Sequence, residues 1–182
     1  MTKLDKEMSR LSLVAEGDDF SLYEYRPTLL RPLLVHFQPM KFVRRCRYLL
    51  EYLHEGQYRV FYLLGPDKTP LAFCVVTPGG RGLKCSTKKD IVLGPYYVDK
   101  AARGNGYAKK IIRMVLDSYP EHYECAYDWI LKSNIPSVRA SVSCGFLPVS
   151  DLNIVGLMRK PVLTEDGKYS LYRYCNAEKT GL

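Results

Sequence analysis

Apolar residues along the chain fall into two periods. Phe42, Cys46, Leu49, Leu50 and Leu53 recur at i, i+4, i+7, i+8 and i+11, which predicts a helix from Pro39 to Gly56. Ala108, Ile111, Ile112, Val115 and Leu116 make a second stripe over Gly104 to Tyr119, with Lys109, Lys110 and Arg113 turned outward. A third helix is expected from Asn134 to Cys144, because Asn134 suits an N-cap and Pro136 suits a first turn. Period-two segments predict strands at Phe20 to Tyr25, Asp90 to Val98 and Tyr123 to Leu131. Tyr58 to Leu64 and Leu71 to Thr77 form a hairpin around Gly65-Pro66-Asp67-Lys68, and Gly79, Gly80 and Gly82 open a polar, flexible loop. Asn153 to Lys160 and Lys168 to Cys175 read as a closing hairpin around Glu165-Asp166-Gly167. Residues 1–12 are weakly patterned and predict a flexible segment.

This order predicts one α/β domain over residues 1–182, built on a mixed sheet with helices on both faces. The strand-helix-strand unit around Gly104 to Tyr119 requires one parallel pair with a right-handed crossover; the other strands pair antiparallel. Gly94-Pro95 interrupts its first strand, and proline removes a ladder donor, so a bulge or an edge is expected there.

Composition removes several classes. No apolar run approaches the ~20 residues of a membrane span. Met1 to Glu7 lacks the apolar stretch of a signal peptide, so a cytoplasmic location is expected. The six cysteines contain no C-x-x-C pair and the three histidines are far apart, so free thiols and no metal are expected. The net charge of +8 favours an anionic partner, yet the basic residues are dispersed and no nucleic-acid module is present.

The candidate chemistry lies in Val98-Asp99-Lys100-Ala101-Ala102-Arg103-Gly104-Asn105-Gly106-Tyr107-Ala108, where a strand ends and an amphipathic helix begins. N–H groups at a helix start and the positive end of its dipole bind anions, and two glycines admit a phosphate without an obstructing Cβ. A tight strand-to-helix turn would use the same glycines. The spacing matches neither a Walker loop nor G-x-G-x-x-G.

Arg103-x-x-Gly106-x-Ala108 resembles the R/Q-x-x-G-x-G/A signature of the GNAT superfamily of N-acetyltransferases. Asn134, Ser137 and the Gly145-Phe146 pair are similar to its second motif, and the likeness is carried by Asp90 to Phe146. The resemblance implies a mostly antiparallel sheet with one splayed parallel pair, into which acetyl-CoA slots. Its pyrophosphate would lie on Arg103, Gly104, Asn105, Gly106, Tyr107 and Ala108, and its pantetheine arm along Tyr96, Tyr97 and Val98. Asn134 and Ser137 would contact the cofactor, although Asn134 serves equally as a helix cap. The implied reaction is direct attack of a primary amine, from a small molecule or a peptide, on the thioester; the resemblance also allows a homodimer. Transfer of another acyl group or to a hydroxyl, and a non-catalytic acyl-CoA sensor, are the alternatives.

The proton-transfer groups depart from the resemblance. Ser141 stands where relatives often carry a tyrosine, seven residues after the asparagine, and is either a water-linked relay or a plain helix residue. Relatives often carry a glutamate in the strand before the loop, whereas this chain reads Val92-Leu93-Gly94-Pro95-Tyr96. Glu124 and Asp128 are the carboxylates that could serve as base, against a surface or structural role.

Overall fold

The computed structural model describes residues 3–28, 31, 34, 58–80, 82–156 and 160–175. The helix expected from Pro39 to Gly56 lies outside the described residues.

Nine strands are described: β1 (Ser12–Gly17), β2 (Phe20–Tyr25), β3 (Arg59–Leu64), β4 (Pro70–Pro78), β5 (Ile91–Val98), β6 (Cys125–Leu131), β7 (Leu147–Val155), β8 (Lys160–Thr164) and β9 (Tyr169–Cys175). The helices are α1 (Lys3–Met8), α2 (Tyr107–Ser118) and α3 (Ile135–Ser143), with a 3₁₀ turn at Lys100–Ala102. Hydrogen-bonded neighbours follow the order β1-β2-β3-β4-β5-β6-β9-β7-β8. β5 and β6 are parallel, as the strand-helix-strand unit required, in a mostly antiparallel sheet.

The chain divides into two compact units: Met1–Val76 with Pro95–Ser118, and Thr77–Gly94 with Tyr119–Leu182. In the first, β3 is a continuous apolar run and Val60 to Leu64 are all buried, as a strand covered on both faces requires. Tyr23, Tyr62 and Phe73 join one core cluster, against which Leu4, Met8 and Leu11 pack. α1 and β1 thus form where the sequence pattern predicts no element. α1 has only six residues, and packing of Leu4 and Met8 supports it rather than propensity. The stripe of α2 behaves as its period demands: Ile111, Ile112, Val115 and Leu116 are buried.

In the second unit Leu83, Val92, Tyr127, Leu152 and Leu171 form the core cluster. Here the expected closing hairpin is corrected. β8 pairs with β7, while β9 lies between β6 and β7 and pairs with both. A strand in that central place buries both faces, and adjacent Leu171 and Tyr172 are both buried. The loop opened by Gly79 is also tied down rather than loose. Gly79 N–H donates to Asp90 O at 2.8 Å, and Asp90 Oδ2 accepts from Thr87 N–H and Oγ1 at 2.7 and 3.0 Å.

The expectation of free thiols throughout is corrected as well. Cys125 and Cys175 are register partners on β6 and β9 and are joined by a disulfide. Antiparallel pairing brings their Cα atoms to 4.2 Å despite a sequence separation of 50. Cys74 and Cys144 are buried free thiols and Cys85 is an exposed one; Cys46 lies outside the described residues. Among the described residues no helix is long and apolar enough to cross a membrane.

Candidate functional site

The first unit carries the loop from Tyr97 to Ala108. β5 ends at Val98, and the turn that follows is built by Asp99. Its N–H donates to Leu71 O at 2.8 Å, its carbonyl accepts from Ala102 N–H at 3.0 Å, and its Oδ1 caps Ala101 N–H at 2.9 Å. The sequence singles out Asp99 only as part of the loop, without a role, although an aspartate two residues before a donating N–H is a known turn signal. Asn105 Nδ2 then donates back to Ala102 O at 3.3 Å.

Arg103 folds over the end of the strand. Its Nε donates to Val98 O at 3.3 Å, and its guanidinium carbon lies 5.3 Å from the Tyr97 ring centroid. Tyr97 is 41% exposed and stacks on Phe73 with centroids 5.9 Å apart. The strand end therefore presents a positive group held by a carbonyl and an aromatic face.

Gly104 and Gly106 have φ of +87° and +75°, the left-handed region that excludes most side chains. A Cβ at either position would meet nothing within 4 Å. Backbone twist thus explains the glycines, and the space above them is open. Gly106 O accepts Lys110 N–H at 3.0 Å, so the helix begins at Tyr107, three residues later than the sequence pattern suggests. First-turn N–H groups of a helix have no acceptor within it. Lys110 Nζ sits 3.8 Å from the Phe20 ring centroid and 5.7 Å from that of Tyr107, adding positive charge on the first turn. Exposed glycines, a helix start and cations on one loop fit a pyrophosphate.

The second unit holds the other expected residues. Asn134 occupies the N-cap of α3 with no capping hydrogen bond from its side chain. Its carbonyl accepts Val138 N–H at 3.1 Å and its N–H donates to Leu131 O at 2.8 Å, so the backbone alone performs the cap. Ser137 is half-buried on the first turn of α3. Ser141 and Asp128 are brought together: Ser141 Oγ donates to Asp128 Oδ2 at 2.7 Å, with both residues buried. Glu124 is placed differently. It pairs with Lys89 Nζ at 2.8 Å on the surface, and that hydrogen bond raises the Lys89 pKa. Asp90 is buried beside it and accepts Cys125 N–H at 3.0 Å through Oδ1, which anchors the start of β6. Tyr127 donates to Cys85 O at 3.3 Å, and burial raises its phenol pKa. Trp129 packs against the core of this unit.

A parallel strand pair within an antiparallel sheet, its first strand running through a glycine turn into a helix start, defines a mixed α/β fold. Residues 27–146 match the model of the acetyltransferase (GNAT) family. That is more than half of the chain, so the chain belongs to this family and is an enzyme of the N-acetyltransferase class. Among solved structures, an uncharacterized protein from Bacillus halodurans is similar with a TM-score of 0.64 at 12% identity, over 92% of this chain and 93% of that one. Spermidine N-acetyltransferase from Vibrio cholerae, in complex with CoA and spermine, is similar with a TM-score of 0.55 at 13% identity, over 80% of this chain and 82% of that one. At such identities the likeness speaks for the fold. No curated protein matches the chain.

Proposed function

We propose that this protein transfers the acetyl group of acetyl-CoA to a primary amine of a small molecule or peptide. The observation that carries this reading is the open space over Gly104 and Gly106 at the start of α2, rimmed by Arg103 and Lys110. The first-turn N–H groups and Arg103 bind the pyrophosphate, and the backbone at Tyr97 and Val98 aligns the arm. Acetyl-CoA supplies an activated thioester. A backbone N–H near Val98 donates to the acetyl oxygen as negative charge gathers on it. The acceptor amine attacks in its neutral form, so a proton must leave its nitrogen.

The spermine complex of the Vibrio cholerae enzyme supports an amine acceptor and puts polyamines first in a substrate panel. The panel then extends to amino sugars, amino acids and peptide N-termini. Acetyl-CoA is expected to raise the melting temperature, since a ligand at about 100 times its Kd contributes about 2.7 kcal/mol. Thiol release with one amine class is expected to follow. No thermal shift at millimolar acetyl-CoA, with no thiol release across the panel, would overturn the proposal.

A further inference from the structure

Gly17 and Phe20 are register partners that close the hairpin of β1 and β2. The Phe20 ring folds back onto Gly17 so closely that a Cβ built there would lie 2.5 Å from Phe20 Cζ and 2.7 Å from Cε2. A glycine opposite an aromatic residue gives the ring a seat, and any side chain at position 17 would push it off. β1 lies beside α2 within the same unit. Lys110 Nζ, from the first turn of α2, lies over the face of the seated ring, 3.8 Å from its centroid.

A helical side chain leans toward the N-terminus of its helix and covers the turn before its own Cα. Lys110 follows that rule, since its ammonium is 5.7 Å from the ring centroid of Tyr107, one turn earlier. It is half-buried, whereas neighbouring Lys109 is exposed. The ring and the ammonium therefore meet beside the glycine turn. A ring that merely filled space would need no cation on its face. Unlike a carboxylate, an aromatic face attracts an ammonium without neutralising it, so the charge stays available to an anion. A loose lysine stem loses rotamer freedom when it meets a ligand, and a stem already held loses less. Resting on the acetyl-transfer reading, we propose that Phe20 is a positioning residue for the cofactor: seated on Gly17, it holds the Lys110 ammonium at the start of α2, where Lys110 binds a phosphate of acetyl-CoA. The hairpin of β1 and β2 thereby becomes part of the cofactor site.

Calorimetric titration of acetyl-CoA tests this, with thiol release measured in parallel. Phe20→Leu keeps an apolar side chain but loses the π face, and its Kd is expected to rise about three- to tenfold. Phe20→Tyr keeps the face and should stay within about twofold of wild type. Lys110→Met removes the charge and should raise Kd about tenfold. In the Lys110→Met background, Phe20→Leu should add less than about 1.5-fold, because the ring then has no ammonium to hold. A ring with a structural role alone would cost the same in both backgrounds. In turnover, Phe20→Leu should raise the KM for acetyl-CoA and leave kcat at saturation within about twofold, the mark of lost cofactor binding. Gly17→Ala displaces the ring while both Phe20 and Lys110 are retained; it should reproduce the rise in Kd, and it carries the test if Phe20→Leu does not fold. Dephospho-CoA identifies the phosphate: the Lys110→Met penalty persists with it if Lys110 meets the pyrophosphate, and vanishes if Lys110 meets the 3′-phosphate. An unchanged Kd in Phe20→Leu, or an equal penalty in the two backgrounds, overturns the assignment. Wild-type protein that neither binds acetyl-CoA nor releases thiol brings down the acetyl-transfer reading itself; wild type that binds it, with Phe20→Leu unaffected, brings down only the role of Phe20.

Discussion

The guanidinium of Arg103 lies 5.3 Å from the Tyr97 ring centroid while its Nε holds the Val98 carbonyl. The strand end and the loop are thereby fastened by the same side chain that brings charge to the glycine turn. Arg103→Ala removes a charge-assisted contact worth about 1.5–3 kcal/mol, so the Kd for acetyl-CoA is expected to rise about ten- to hundredfold. Arg103→Lys should recover only part of this, because an ammonium replaces neither the planar stacking nor the fork of donors. Calorimetric titration of acetyl-CoA into the two variants measures both effects; equal affinity in Arg103→Ala and wild type would remove Arg103 from the phosphate site.

Gly106 separates backbone strain from ligand contact. Because nothing lies within 4 Å of a Cβ there apart from its chain neighbours, an added Cβ meets open space and costs the left-handed strain of about 1–2 kcal/mol. Gly106→Trp is expected to lower the melting temperature modestly and to abolish the acetyl-CoA shift, since its ring fills the space assigned to phosphate. A thermal scan with and without acetyl-CoA tests it, and an intact shift would move the phosphate site elsewhere.

The disulfide between Cys125 and Cys175 closes a separation of 50 residues. Loop-closure entropy for that length corresponds to about 4 kcal/mol. Reduction is expected to lower the denaturation midpoint by a corresponding amount, and Cys125→Ser should reproduce the loss in the absence of reductant. Urea titrations with and without a phosphine reductant measure it. A midpoint that does not respond to reductant would mean that the two thiols are not joined in solution.

The elements that could be read in the sequence are those whose information is local. The stripe from Ala108 to Leu116 and the N-cap at Asn134 each sit within one helix, and the structure keeps both. The glycine pair at 104 and 106 could be read because chirality makes positive φ a glycine property. What was not legible depends on partners remote along the chain. Alternation marks Lys160–Thr164 and Tyr169–Cys175 as strands, but not that the second inserts between β6 and β7. Asp128 and Ser141 could each be singled out in the sequence, but they lie on a strand and a helix, 13 residues apart, and the hydrogen bond that joins them could not be read from either alone. The pairing of Cys125 with Cys175 was hidden for the same reason: it follows from the register of β6 on β9. α1 escaped because Leu4 and Met8 make too short a stripe to show a period.

Tyr62 predicts the alkaline limit of stability. Its ring is buried in the core of the first unit, where its oxygen accepts Leu34 N–H at 3.3 Å. Burial raises its pKa well above the usual 10.0, against the smaller lowering effect of that hydrogen bond. Burial also raises Tyr25, to a lesser degree. In the unfolded chain these phenols ionise near their ordinary value, so above about pH 10 the unfolded state binds fewer protons than the native state. Stability is therefore fully present below that pH and is lost as pH rises above it. One proton corresponds to about 1.4 kcal/mol for each pH unit. Tyr62→Phe removes the ionising group and should flatten the alkaline slope by up to that amount, although loss of the Leu34 contact lowers stability at neutral pH by about 1 kcal/mol. Urea unfolding at pH 8, 10 and 11 in wild type and Tyr62→Phe gives both quantities; identical slopes for the two proteins would show that Tyr62 ionises as readily in the fold as out of it.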